Sequence, residues 1–201
     1  MSASRKLSFM KKNPSRPLIA LSLLLLPNLA SAHILPGSSH GLQAGLLHPL
    51  TGWDHLLAMF AVGMWAAQQR GRALWQIPLA FISVMILGGV LGVAGVYLPG
   101  SEWLIAASVL VLGGLIATAT RFTPTLSMMV VGLFALFHGF AHGHEMPAAA
   151  SALSFSIGFV ISTAALHALG IGVGLALQHQ PRVTRLAGAV IAAASLCFFV
   201  R

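Results

Sequence analysis

Long apolar runs separated by short polar segments dominate the chain. The runs do not alternate apolar and polar residues, as the strands of a membrane barrel would. Because only helices and closed barrels satisfy the backbone in lipid, the pattern predicts an all-α, polytopic membrane helix bundle with about six transmembrane helices in a single domain over residues 33–201. The predicted spans, each near the ~20 residues that a bilayer requires, are about 46–67, 77–98, 103–119, 125–142, 149–177 and 183–200.

The first 32 residues have the layout of a secretory signal peptide. Basic residues precede an apolar segment over 18–26 that is too short to span a bilayer. Pro27 interrupts the segment, and Ala30-Ser31-Ala32 offers small residues for cleavage. We therefore predict that residues 1–32 are removed, which makes His33 the mature N-terminus. The alternative is an uncleaved first anchor. Residues 33–47 are expected to form an exposed lead-in.

Positive charge in the loops predicts the orientation. Arginines occur after the first, third and fifth runs, and the other loops contain neither Arg nor Lys. Because loops rich in Lys and Arg stay on the cytoplasmic side, the mature N-terminus is expected outside. The residues that carry this signal are Arg70, Arg72, Arg121, Arg182 and Arg185.

Composition agrees with a membrane protein, since 57% of the residues are hydrophobic and 7% are charged, against about 25% charged in soluble domains. The formal net charge of +8 is concentrated in the first sixteen residues. Basic side chains are otherwise too few and scattered for a phosphate-tracking face, so no nucleic-acid partner is expected. Cys197 stands alone, which excludes an intramolecular disulfide.

The first polar cluster lies in the first apolar run and contains His48, Asp54 and His55. A carboxylate at the centre of a membrane helix costs roughly 2.5–3.5 kcal/mol, and a neighbouring imidazole with a bound cation would offset that cost. The two histidines share a face if the helix is continuous. Alternatively, Pro49 and Gly52 loosen the helix and free carbonyls toward a cation. A purely structural hydrogen bond to another helix is the competing interpretation.

The second cluster ends the fourth run. His138 and His142 have the i, i+4 spacing that lets two imidazoles bind one metal ion. Glu145 follows one turn later. The competing interpretation is a packing and capping role. The predicted topology brings the two clusters to similar depth, so we predict a metal site formed by His48, Asp54, His55, His138, His142 and Glu145.

Other histidines extend this hypothesis. His33 and His40 are candidates for metal capture, and His144 adds a donor beside the second cluster. His167 lies deeper, as a candidate relay or as a buried histidine bonded to a neighbouring helix. His179 and Glu102 are expected to be solvated.

The ligand types narrow the choice of metal. Imidazole and carboxylate without thiolate suit Ni²⁺, Co²⁺, Zn²⁺ or Cu²⁺ and disfavour Cu(I). The chain has no Walker motif, so it does not hydrolyse ATP itself. A negative-inside potential favours inward movement of a cation by about 2.3 kcal/mol per charge per 100 mV.

Both clusters resemble the motifs of the HupE/UreJ family of bacterial nickel/cobalt permeases. The first family pattern, His separated by five residues from Asp-His, is matched at His48, Asp54 and His55. The similarity also covers the signal peptide and the layout of spans. The second pattern, Phe-His-Gly-x-Ala-x-Gly-x-Glu, is matched at Phe137, His138, Gly139, Ala141, Gly143 and Glu145.

The resemblance implies uptake of Ni²⁺, or Co²⁺ in some members, across the bacterial inner membrane, for urease or hydrogenase maturation. The expected partners are then the metal ion, carried as substrate without any resident cofactor, and the lipid bilayer; assembly into a homo-oligomer stays open. We expect no enzymatic activity. Two alternatives remain: an intramembrane zinc-dependent hydrolase, in which an open zinc position activates water, and an accessory subunit that binds metal without transporting it.

Overall fold

The computed structural model of the protein describes residues 41–146 and 151–200. These residues form helices joined by short loops, with no strand among them. The prediction of an all-α fold is therefore confirmed. The helices are α1 (Gly41–Thr51), α2 (Trp53–Gln69), α3 (Ala73–Val93), α4 (Ser101–Thr118), α5 (Pro124–His144), α6 (Ala152–Ala176) and α7 (Pro181–Ser195), and a 3₁₀ turn (Leu196–Phe198) follows α7.

Five helical segments of the described chain are long and apolar enough to cross a membrane. They are α3, α4, α5, α6, and α7 together with its 3₁₀ turn. This confirms the prediction of a polytopic membrane helix bundle. The predicted signal peptide, together with His33 and His40, lies outside the described residues.

The first predicted span differs from the structure, because Gly52 divides it into α1 and α2. Gly52 adopts an extended conformation with φ −102° and ψ 120°, which interrupts the helix. Both helices pack along α6: Gly45 lies against the backbone at Phe155, and Gly63 lies against the backbone at His167. The two helices therefore follow one another along α6, with a break at Gly52 between them. The expected exposed lead-in over 33–47 is wrong from Gly41 onward, where α1 begins.

Glycines allow the helix backbones to approach closely. A side chain at any of these positions would collide with the backbone of the neighbouring helix, as is typical of helix packing in membranes. Gly114, in contrast, faces open space. The close contacts join α1 to α6 at Gly45 and Gly158, α2 to α6 at Gly63 and Gly170, α3 to α5 at Gly88, Gly92, Gly139 and Gly143, and α4 to α7 at Gly113 and Gly188.

Helix α2 lies at the centre of the core although it has only 17 residues. Met59, Val62 and Trp65 on this helix are fully buried. Near its end, the Trp65 Nε1–H donates to the carbonyl of Thr120 over 3.1 Å. The enclosing helices thus fix α2 in position, and its first turn is held inside the bundle.

The two ends of the bundle differ in charge. Arginines follow α2, follow α4 and stand at the start of α7. We call this end, which carries Arg70, Arg72, Arg121, Arg182 and Arg185, the arginine end. Helix α6 begins at the opposite end of the bundle, where α5 terminates, and α2 begins deeper, after the break at Gly52. The polar clusters predicted from the sequence lie toward that opposite end.

Candidate metal site

Three helices bring the two predicted clusters together. His48 comes from the last turn of α1, and His55 comes from the first turn of α2. His138 and His142 lie in the last two turns of α5, and Glu145 caps that helix. The convergence of the two clusters, expected from the topology, is therefore observed in the structure.

The outer part of the site consists of His48, His142 and Glu145. The Nε2 atom of His48 lies 3.3 Å from Oε2 of Glu145, and the Nδ1 atom of His142 lies 4.0 Å from the same oxygen. One potential ligand atom from each residue lies within 4.8 Å of the other two. Ligands at about 2.0–2.2 Å from a metal ion stand about 3–3.5 Å apart in tetrahedral geometry, so small side-chain movements would suffice to bind one.

Glu145 is half-exposed and lies beyond the end of α5. The hydrogen bond from His48 lowers the pKa of this carboxyl below its usual value, whereas partial burial opposes the shift. Glu145 is consequently ionised at neutral pH. An ionised carboxylate beside two imidazoles is the form that binds a divalent cation.

Asp54 and His55 form the deeper part of the site. The Nδ1–H of His55 donates to Oδ1 of Asp54 over 2.8 Å, and the backbone N–H of His55 donates to the same oxygen over 2.9 Å. These bonds fix the tautomer of His55, so that its Nε2 atom keeps a lone pair that is available to a ligand. A side chain at Gly52 would lie 2.8 Å from Oδ1 of Asp54 and 2.9 Å from Nδ1 of His55, so glycine leaves room for the pair.

His138 is oriented in the same way. Its Nδ1–H donates to the carbonyl of Phe134 over 3.0 Å, and its ring is fully buried. Within the described residues, Nε2 of His55, Nε2 of His138 and both ring nitrogens of His142 are buried without a hydrogen-bond partner. Such unpaired buried groups are costly, at about 1–3 kcal/mol each. The site therefore presents several nitrogen lone pairs that a metal ion would satisfy.

The ring positions connect the two parts of the site. The ring centroid of His142 lies 4.6 Å from that of His48 and 4.2 Å from that of His55. The ring of His55 lies 5.1 Å from that of His138. His142 is thus the imidazole shared between the outer and the deeper parts.

Aromatic side chains form the walls of the site, and no pattern in the sequence identified them. Phe159 on α6 packs 4.2 Å from the ring of His142, and Phe155 packs 5.5 Å from the ring of His48. Phe81 on α3 packs 5.7 Å from the ring of His138. Phenylalanine is common in any apolar helix, so its position in the sequence alone does not identify these contacts.

His167 does not join the cluster. It is buried on α6, and the ring of Phe81 packs 5.1 Å from it, with His138 against the same phenylalanine. Both ring nitrogens of His167 lack a hydrogen-bond partner within the described residues. One turn earlier, the Thr163 hydroxyl donates to the sulfur of Met59 over 3.4 Å. His167 therefore occupies a separate position deeper in the bundle.

The remaining candidates lie apart from the cluster. His144 is exposed and stacks on Phe140, with ring centroids 6.1 Å apart and planes at 11°. His179 is exposed at the arginine end. Glu102, for which the sequence suggested no role beyond solvation, is exposed in the first turn of α4.

Comparison with known proteins finds the same similarity along most of the chain. The family described as HupE / UreJ protein matches residues 21–198. Protein HupE of Rhizobium leguminosarum bv. viciae is 42% identical over 185 residues, which cover 90% of this chain and 95% of that protein. No solved structure matches this chain significantly.

Proposed function

The chain belongs to the HupE/UreJ family, and we propose that it is a permease that takes up Ni²⁺, or Co²⁺, across the bacterial inner membrane. The observation that carries the proposal is the set of buried imidazole nitrogens without hydrogen-bond partners at His55, His138 and His142. Polar groups at membrane depth are expensive and are usually functional. A divalent cation would satisfy them.

The geometry supports a transfer in two stages. His48 and Glu145, which are partly exposed, receive the ion together with His142. Because the ring of His142 also contacts the ring of His55, the ion can pass inward by exchanging one ligand at a time. His55 and His138 then hold it in the deeper part. In this proposal Asp54 orients His55 and supplies negative charge.

The ligand set favours Ni²⁺ or Co²⁺ over softer and harder ions. The site offers imidazole and carboxylate, and the one cysteine, Cys197, is exposed at the end of the last helix. Imidazole-rich sites suit Ni²⁺, Co²⁺ and Zn²⁺, whereas Mg²⁺ and Ca²⁺ prefer oxygen. Zn²⁺ remains the less favoured third candidate.

The proposed orientation places the cluster toward the periplasm and the arginine end in the cytoplasm, in agreement with the positive-inside rule. The membrane potential would then drive a dication inward by about 2.3 kcal/mol per charge per 100 mV. The imported metal would supply urease or hydrogenase maturation. His33 and His40 would capture the ion ahead of the site, and His167 would receive it beyond Phe81.

A hydrolase is less well supported by the same geometry. Hydrolysis would require a general base beyond the metal ligands. Among the three carboxylates of the chain, Asp54 accepts hydrogen bonds from His55, and Glu145 is paired with His48. Neither of these two is free to act as that base without disrupting the site, and the third, Glu102, is exposed at the start of α4.

Uptake into proteoliposomes tests the proposal. The purified protein would be reconstituted with a metal indicator inside and a negative-inside potential, and Ni²⁺, Co²⁺ and Zn²⁺ would be added outside. We expect saturable uptake of Ni²⁺ or Co²⁺ that His55→Ala and His138→Ala abolish. His179→Ala, a histidine exposed at the arginine end, is the matched control and should retain uptake. Tight binding without uptake would refute the permease and indicate an accessory subunit.

A further inference from the structure

A cavity of about 130 Å³ opens at the arginine end, away from the histidine cluster. It lies between the ends of α2 and α6, the start of α7 and the loop between α4 and α5. Three arginines line it, and two glutamines add amide groups. These residues are Arg70, Arg121, Arg185, Gln68 and Gln178.

The positive charge of the arginines in this cavity is not paired with an acidic residue of the described chain. No acidic residue lines it, and within the described chain no carboxylate forms an ion pair with any of its three arginines. The three carboxylates of the chain are Asp54, Glu102 and Glu145, which start α2, start α4 and cap α5. A concave surface lined by one sign of charge concentrates ions of the opposite sign.

One arginine side chain and the loop that carries a second arginine are held by the protein itself. The Nε–H of Arg185 donates to the carbonyl of Ala117 over 2.8 Å. The loop that carries Arg121 is fixed on both sides: Trp65 donates to the carbonyl of Thr120 over 3.1 Å, and its ring packs 5.8 Å from that of Phe122. Part of the cavity wall is therefore fixed before any ligand arrives, which reduces the entropic cost of binding.

Backbone strain is concentrated at the same place. Among the described residues, Arg70 with φ 68° and Ala119 with φ 57° are the non-glycine residues with positive φ, and both line this cavity. Residues with side chains adopt this left-handed region at a cost, and such residues cluster at functional sites. Both residues are C-caps, of α2 and α4, so the cavity lies where two helices end in backbone conformations that residues with side chains seldom adopt.

We propose that this cavity binds a phosphate group, supplied either by the headgroup of an anionic lipid or by free phosphate. The planar guanidinium group matches phosphate oxygens through paired hydrogen bonds. Basic pockets between membrane helices at a charged membrane surface are typical sites for lipid headgroups. The volume admits a tetrahedral oxyanion together with a few water molecules.

The arginine end supplies its own controls. Arg72 lies two residues from Arg70, and Arg182 lies three residues from Arg185, yet neither lines the cavity. Replacing either by Gln removes the same charge from the same region of the chain without changing the proposed site. The informative variants are Arg121→Gln and Arg185→Gln.

Binding would be measured on the full-length protein in a neutral detergent. Native mass spectrometry would count bound phosphatidylglycerol against phosphatidylcholine, and equilibrium dialysis would measure labelled inorganic phosphate. We expect saturable binding of at least one phosphate source, weakened by about tenfold or more in Arg121→Gln. The controls Arg72→Gln and Arg182→Gln should remain within about twofold of the unmodified protein.

The outcomes separate the two sources. Saturable binding of phosphatidylglycerol alone identifies a lipid headgroup, and binding of inorganic phosphate identifies a soluble ligand; both support the proposal. Equal weakening in cavity and control variants would show a general surface-charge effect and overturn it. Failure of the unmodified protein to bind either probe would also overturn it. If Arg185→Gln unfolds because the bond to Ala117 is lost, Arg121→Gln still provides the test, since the described residues show no hydrogen bond from its side chain.

Discussion

The side chain of His55 donates its Nδ1–H to Oδ1 of Asp54 over 2.8 Å, and this pair begins the helix at the centre of the bundle. The bond determines which nitrogen of His55 remains available for a ligand. In metal sites, a carboxylate that accepts from an imidazole fixes its orientation and raises its basicity. The pair therefore connects a costly buried charge to the proposed metal chemistry.

Replacement of Asp54 by Asn tests this relationship. Asn has nearly the same shape but no charge, so the fold should persist while His55 becomes a weaker ligand. We expect Ni²⁺ affinity to fall by about 10–100-fold. Isothermal titration calorimetry of the detergent-purified protein would measure the change. Unaltered affinity in Asp54→Asn would show that the carboxylate has only a structural role.

His142 and His144 provide a matched pair on one helix. His142 is buried between His48 and His55, whereas His144 is exposed and stacks on Phe140. We expect His142→Ala to lower Ni²⁺ uptake by at least about 100-fold, because a proposed direct ligand would be lost. His144→Ala should keep uptake within about threefold of the unmodified protein. Similar losses in both variants would contradict the assignment of His142.

Metal binding should also stabilise the fold. A ligand present at 100 times its dissociation constant adds about 2.7 kcal/mol to the free energy of unfolding. We expect the midpoint of thermal unfolding to rise with Ni²⁺ and to return to its original value after chelation. His55→Ala should show no such rise, and Mg²⁺ serves as the control ion. An equal rise in His55→Ala would place the bound metal elsewhere.

The glycine contacts predict opposite effects at two positions. A Cβ at Gly139 would collide with the backbone carbonyl of Met85, whereas Gly114 faces open space. We expect Gly139→Ala to destabilise the protein by about 1–3 kcal/mol through forced separation of α3 and α5. Gly114→Ala should instead gain about 0.5–1 kcal/mol. Unfolding of both variants by denaturant would compare them, and equal stabilities would refute the packing argument.

Much of the architecture could be predicted because apolar runs of this length allow few structures in a membrane. Helix periodicity placed His138 and His142 on one face, and alternation of the spans brought them near His48. The separation of His144 from the cluster also follows from periodicity, because two residues on a helix turn through about 200°. The spacing of these residues in the sequence was thus enough to predict most of the candidate site.

The remaining features depended on tertiary structure. Pro49 and Gly52 suggested a loosened helix, but the exact position of the break and the helical start at Gly41 depend on packing against α6. The contacts of Phe81 and Phe159 with histidines could not be predicted, since apolar side chains carry no directional signal. Likewise, the three arginines that line the cavity come from segments that are distant in sequence.

The extended residue Gly52 has a thermodynamic consequence. His48 belongs to the segment before it and His55 to the segment after it, and both rings contact the ring of His142. An ion shared across that boundary would fix the angle between the two segments. By linkage, the angle would in turn set the affinity for the ion. Binding of the ion and the angle between the two segments would then influence each other, so a substitution that makes residue 52 more rigid should change the affinity of the protein for the ion.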